Sequence, residues 1–284
     1  MNTIVLVGRM GNQMFQYALY LSMLKQGKRV CIDDTSFVNR SYLRDYYNLE
    51  YKKAPVPLKK LLLGRNLPSP ANVRGHKILV YHDRECGYDE GVFRAKNKYL
   101  YGFWQTEKYF PDPEVKSQLR EAFRRPKEYL RSEKYREWSD RIKTSASVAV
   151  HLRRTDYYCG DNAKVLGNVA SDAYYSNAFD YINERVEAPV FYVFSDDKEY
   201  AREQYGQRDN YVIVDDDLPD LMEFYLMGEC EHRIMANSSF SWWAYWLKED
   251  KSGITCAPEI WFFMRDYKDI HTADMIKIPI QERG

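Results

Sequence analysis

The sequence predicts an α/β protein built as two Rossmann-like halves, each a parallel sheet covered by helices. Three observations predict it. The chain opens with an apolar strand, a glycine turn, a helix and a second strand, the order of a βαβ unit. Its second half alternates short apolar runs with helix-length segments nearly to the end. The charged and hydroxyl residues then gather where those apolar runs stop, the edge at which open parallel sheets bind ligands.

The elements follow in order. Thr3 to Val7 reads as a strand, and "GRMGN" as the turn after it. Met14, Tyr17, Ala18, Leu21 and Leu24 recur at helical spacing up to Gly27, and "KRVCID" is the next strand. "KAPVPLKKLLLGRNLPSPANVRG" mixes proline, lysine and glycine and reads as a basic, loop-rich excursion. "KNKYLYGFWQTEKYF" predicts a strand leading into a helix, and residues 113 to 143 are charged and largely helical, with Pro126 as a break. We place the domain boundary there, giving residues 1–144 and 145–284. Beyond it "SVAVHL", "PVFYVFS", "NYVIV", "HRIMA" and "GITCA" predict strands. The helices between them start at Ser171, at "KEYAREQY", at "LPDLMEFYLMGEC" and at "SSFSWWAYWLKE".

Composition limits the functions available. The chain has 284 residues, a formal net charge of +1 and an ordinary 45% of hydrophobic residues, so no global field draws it to nucleic acid or an anionic membrane. An anion site must be local. The 25 tyrosines are explained first by packing, although sugar faces also stack on aromatic rings. Five scattered cysteines without a C-x-x-C pair argue for a reducing compartment and against zinc. The first apolar run is too short for a signal peptide, and no apolar run reaches 18 residues. The expectation is a soluble, cytoplasmic protein.

The chemistry is concentrated at four strand ends. "HLRRTD" delivers Arg153 and Arg154, whose planar donor forks match phosphate or carboxylate. If the strand continues, the two side chains alternate, so one faces a ligand and the other pairs within the protein. The plain structural alternative has Arg154 bridging to Asp156 or to a helix end. "ANSS" places Asn237, Ser238 and Ser239 where a strand becomes a helix, whose first N–H groups form an anion site. Simple N-capping explains one serine but leaves the helix, aromatic on several faces, unexplained. Such a helix must be buried. "VFSDD" offers Asp196 to a nucleoside and Asp197 as a helix cap. Asp215 to Asp217 form a D-x-D pattern that holds a divalent cation in some sugar transferases, or else simply opens a helix. Gly8 and Gly11 allow close backbone approach, without a complete dinucleotide or Walker motif.

"GRMGNQMFQYA", "HLRRTD", "YVFSDD" and "MGECEHRIMANSSFSWWAYWL", in this order, resemble the bacterial alpha-1,2-fucosyltransferase family. The motifs span almost the whole chain, and the last is long and specific; residues 40 to 100 carry none. The resemblance implies a GT-B type glycosyltransferase, two Rossmann-like domains facing across a cleft. The first domain is then the acceptor side, and the second binds GDP-L-fucose. It implies inverting transfer of L-fucose to the 2-hydroxyl of a terminal galactose, with no cofactor and no metal. Arg153 would grip the diphosphate with Arg154 supporting it. His151 and Asp196 would contact the nucleoside, Ser238 and Ser239 the phosphates, with Asn237 beside them. Arg9, Gly11 and Asn12 would line the donor site from the other domain. Either Asp156 or Asp161 would take the acceptor proton, and Asp156 serves equally to orient an arginine. The acceptor would be a galactose-terminated, lipid-linked precursor of O-antigen or capsule, met in the cytoplasm with at most peripheral contact at the inner membrane. Two competitors are a metal-dependent transferase for another nucleotide sugar and a non-catalytic carbohydrate- or nucleotide-binding protein.

Overall fold

The computed structural model describes residues 1–35, 40–55, 80–83, 87–160, 162–215, 217–263 and 268–281. Most of the basic, proline-broken stretch, Asp161 and Asp216 lie outside the described residues. The chain divides into two compact units, Met1–Arg124 with Lys268–Ile270, and Arg125–Tyr267 with His271–Gly284. Residues 125–144 therefore fold with the second unit, rather than with the first as the sequence boundary has it.

The first unit contains β1 (Asn2–Val5), α1 (Met10–Lys25), β2 (Val30–Asp33), α2 (Tyr42–Tyr47), β3 (Val80–His82), α3 (Gly91–Arg94), β4 (Tyr99–Tyr101) and α4 (Pro113–Ala122). Its strands lie in the order β2-β1-β4-β3, every pair parallel. β1 stops at Val5, two residues short of the expected end. The Gln16 side-chain amide explains this. It donates to Val7 O at 3.2 Å, accepts from Val7 N at 3.1 Å and donates to Gly102 O at 2.9 Å. A side chain thus replaces a strand as the partner of Val7. Most of α1 is buried, with Met14, Phe15, Ala18 and Leu19 fully enclosed, whereas Leu24 at its last turn is 43% exposed. "GFWQTEKYF" forms only a three-residue 3-10 turn, Glu107–Tyr109, where the sequence predicts a helix.

The second unit contains α5 (Glu133–Lys143), β5 (Ser147–Leu152), α6 (Asn162–Val165), α7 (Asp172–Asn183), β6 (Val190–Ser195), α8 (Lys198–Tyr205), β7 (Tyr211–Ile213), α9 (Asp220–Glu229), β8 (His232–Ile234), α10 (Ser239–Leu247), β9 (Thr255–Pro258) and β10 (Ile276–Ile278). α5 belongs here because Glu229, at the end of α9, gathers Arg125 Nη1, Tyr135 Oη at 2.7 Å and Ser139 Oγ at 2.5 Å. The sheet order is β10-β9-β8-β5-β6-β7, and every pair is parallel. β10, short and carrying a lysine at its centre, is absent from the sequence expectations.

β5 is buried along its whole length, as a central strand covered on both faces must be. Chain direction across the sheet reverses at β5, which leads to β6 on one side while β8 and β9 lie on the other. That is the topological switch point of a doubly wound sheet. β5 and β8 pair from Val148↔His232 to Val150↔Ile234. Just beyond, two adjacent tyrosines of α7 take the strand-end carbonyls. Tyr175 Oη donates to His151 O at 2.7 Å, and Tyr174 Oη donates to Met235 O at 2.6 Å. α10 is enclosed as its composition demands, with Trp242, Trp243, Tyr245 and Trp246 all at most 3% exposed.

Tyr174→Phe keeps the ring and removes only the donor, leaving the buried Met235 carbonyl short of a partner. We expect it to cost about 1–3 kcal/mol in urea unfolding with an unchanged m value. An unchanged midpoint would show that these carbonyls do not depend on the tyrosine.

Candidate functional site

β5 and the loop after it carry the arginines because an apolar six-residue strand ends in four polar ones. Arg153 is nearly enclosed, its side chain 15% exposed, and two carboxylates hold it. Its Nε donates to Asp156 Oδ1 at 2.9 Å, and Nη2 lies 2.7 Å from the same oxygen. Nη1 lies 3.2 Å from Asp196 Oδ2. Asp156 thus pairs with Arg153 rather than Arg154, whereas the helix-end alternative for Arg154 is met by Asp197, the cap of α8. All three guanidinium nitrogens thus lie close to a carboxylate oxygen, and the group carries five N–H donors in all.

Asp196, at the end of β6, is the hub of this loop. It accepts from Arg154 N at 2.8 Å and from Thr155 Oγ1 at 2.6 Å, besides its contact with Arg153. Burial alone would raise its pKa, but the Arg153 charge and these donors outweigh burial and hold it below the usual carboxylate range. Burial likewise works against charge on Arg153, and the Asp156 hydrogen bond with Asp196 keeps it firmly cationic. Arg154 turns the other way. Its guanidinium lies 3.4 Å from the Tyr200 ring centroid and 4.7 Å from that of Tyr158, with Nε 3.8 Å from Asp197. Asp197 caps α8, accepting from Tyr200 N at 3.0 Å, as its place in "SDDK" predicts.

Across the switch point, Ser238 caps α10, its hydroxyl accepting from Phe240 N at 3.3 Å. Asn237 is 2% exposed, and its Nδ2 donates to Leu166 O at 3.3 Å and Trp261 O at 3.2 Å. Its Oδ1 is buried with no hydrogen-bond partner among the described residues. Ser239 is the first residue of α10. His151 is buried beneath this helix, its ring 5.7 Å from that of Phe240. Burial first, and then the Arg153 charge, push its pKa down to about 3. It is a neutral imidazole at physiological pH.

In the first unit, Gly8 adopts φ +74, and a Cβ there would stand 2.2 Å from Asn12 Nδ2. Arg9, the residue before α1, is exposed; Gly11 is buried, and Asn12 is half-buried with Oδ1 accepting from Gln105 Nε2 at 2.7 Å. Gln13 Nε2 donates to Gly8 O at 3.1 Å and Arg40 O at 3.0 Å, which fixes the turn. Asp215 of the D-x-D pattern is 2.5 Å from Arg202 Nε. Sequence reasoning missed Gln13, Gln16, Thr155 and Tyr157. Two glutamines three apart on an otherwise apolar helix, and a tyrosine directly after "HLRRTD", were the available signals.

The structure therefore brings together His151, Arg153, Arg154, Asp156 and Asp196 around β5 and β6, with Asn237, Ser238 and Ser239 at the adjoining end of β8. An anionic group would suit such a site, between a guanidinium and a helix start. Among the described residues no helix is long and apolar enough to cross a membrane.

The family model described as glycosyl transferase family 11 matches residues 1–271. The chain is 32% identical over 271 residues to an alpha-1,2-colitosyltransferase of Escherichia coli, covering 90% of this chain and 91% of that protein. It is 29% identical over 253 residues to galactoside alpha-(1,2)-fucosyltransferase 1 of Ateles belzebuth, covering 84% of this chain and 63% of the relative. The crystal structure of NodZ alpha-1,6-fucosyltransferase co-crystallised with GDP matches with a TM-score of 0.50 at 12% identity, covering 86% of this chain and 91% of that one. This last likeness is one of fold.

The depressed His151 pKa has a thermodynamic consequence. The unfolded chain takes up this proton near the ordinary 6.5, the folded chain only near 3. Acid therefore favours unfolding across that window, by about 2 kcal/mol at pH 5 relative to neutral pH. In urea unfolding, His151→Gln should remove that part of the slope between pH 7 and 5. His232, also lowered by burial, keeps its own part. An unchanged slope in the variant would contradict a neutral, buried His151.

Proposed function

Since the chain belongs to glycosyl transferase family 11, we propose that this glycosyltransferase moves L-fucose from GDP-L-fucose to the 2-hydroxyl of a terminal galactose, with inversion. The observation that carries the reading is the pairing of Arg153 with the α10 start on the two sides of the switch point. A second reading, colitose as the transferred sugar, is favoured by the similarity to the Escherichia coli colitosyltransferase over nine-tenths of this chain.

Breaking the sugar–phosphate bond gives the anomeric carbon oxocarbenium character and leaves extra negative charge on GDP. In this reading the Arg153 guanidinium and the first amides of α10 meet that charge. Donors fixed before the reaction stabilise it without reorganisation. Asp156 and Asp196 hold the guanidinium, which is the positioning alternative to a base role for Asp156. His151, neutral, offers the nucleoside a hydrogen-bonding ring rather than a charge, and Asp196, which also braces the loop after β5, meets the nucleoside beside it. Arg154 supports the loop from its stack on Tyr200. Ser238, Ser239 and Asn237 face the phosphates, and the family resemblance adds Arg9, Gly11 and Asn12 of the first unit to the residues expected to meet the donor. The acceptor proton is assigned to Asp161 or Asp156.

The reading includes the GT-B plan, with the first unit on the acceptor side and the second on the donor side. It requires no metal. The acceptor is a galactose-terminated glycan, carried on a lipid and met in the cytoplasm with at most peripheral membrane contact.

Arg153→Lys puts a point charge where a planar fork is held, and should lower kcat/KM by roughly a hundredfold or more. Near-normal turnover would remove Arg153 from the mechanism. The reading as a whole is tested by mass spectrometry of products from GDP-fucose and GDP-colitose with galactose-terminated acceptors, with linkage analysis and added EDTA. A fucosyl-(1→2)-galactose product, insensitive to EDTA, is expected. Faster colitose transfer would establish the second reading, and EDTA-sensitive turnover would overturn the metal-free account. Comparing Asp156→Asn with Asp161→Asn at saturating donor locates the base, and full turnover in both would eliminate general-base catalysis by either.

A further inference from the structure

The arginine loop and the α10 start hang from different strands. β5 and β8 are paired only as far as Val150↔Ile234, so the sheet ladder does not set the distance between the two loops. One side chain bridges them. Tyr157 follows Asp156 directly, and its hydroxyl donates to the Asn237 backbone carbonyl at 3.0 Å. Ser238, the next residue of that turn, accepts from Phe240 N at 3.3 Å, so the tyrosine grips the turn just before the helix start.

The ring does a second job. The Arg153 guanidinium carbon lies 5.6 Å from the Tyr157 centroid, so the ring also borders the cation. The tyrosine is itself fixed from behind. Tyr157 N donates to Arg154 O at 3.1 Å, and Asn162 Nδ2 closes the loop on Asp156 O at 3.1 Å.

We propose that Tyr157 is a positioning residue that locks the Arg153 loop to the Asn237–Ser239 turn at the spacing one diphosphate spans. The inference rests on the donor reading above and adds to it a residue that never touches the donor. Its loss should hurt ligands in proportion to how much of the diphosphate they carry. GMP, with one phosphate, needs less of the spacing than GDP.

The test is calorimetric titration of GDP and of GMP into wild type and Tyr157→Phe, each with its melting temperature. Tyr157→Phe should weaken GDP roughly tenfold and GMP less than about twofold, with little change in melting temperature. A merely structural role would weaken both nucleotides alike. Equal losses for GDP and GMP, or none for either, overturn the proposal. The two losses are compared within one variant, so the comparison stands even if Tyr157→Phe proves less stable. If the wild type binds no GDP at millimolar concentration, the donor reading itself fails, which the variants alone would not show.

Discussion

The site depends on β5 and β8 lying side by side in one sheet and parting after Val150 and Ile234. Parting strands expose carbonyls that a continuous ladder would bond, and a buried carbonyl without a donor is costly. Tyr174 and Tyr175 supply those donors from a single helix. The opening between the strands is thereby satisfied rather than strained. Into it the sheet delivers a positive loop from one strand and a helix start from the other. The enclosed tryptophans of α10 hold that start in place.

Electrostatics then sets what the opening accepts. Arg153 sits between Asp156 and Asp196 and stays charged despite burial. The carboxylates hold the guanidinium in one place, and it carries five N–H donors in all. His151, close by, is kept neutral by burial and by the same arginine. Arg154 has no such ring of carboxylates and lies against Tyr200, where its role is packing and loop shape. Two adjacent arginines therefore hold different positions in the loop after β5, one drawn in by two carboxylates and the other laid on a tyrosine ring.

Much of this was legible in the residues. The second half reads clearly because its strands are apolar, short and regularly spaced, and because motif residues stand at strand ends, where parallel sheets bind ligands. Asp197 as a helix cap and the burial of α10 follow from local composition alone. The pairing of Asp156 with Arg153 rather than Arg154 was not legible, since spacing cannot say which side chain a loop turns inward. The unit boundary was also hidden. It depends on Glu229, about ninety residues further along the chain, gathering Tyr135 and Ser139. Gln16 ended β1 early by replacing a strand partner, a long-range act that periodicity does not record. Tyr157 looked like one more tyrosine among 25.

The account stands on one diphosphate lying between Arg153 and the α10 start. A crystal structure with GDP bound tests this most directly. The account predicts the diphosphate oxygens within hydrogen-bond distance of Arg153 Nη1 and Nη2 and of the first backbone amides of α10, with Asp156 and Asp196 still on the guanidinium. A diphosphate bound elsewhere, or one held through a metal ion at Asp215 with Arg153 still turned to its carboxylates, would contradict it.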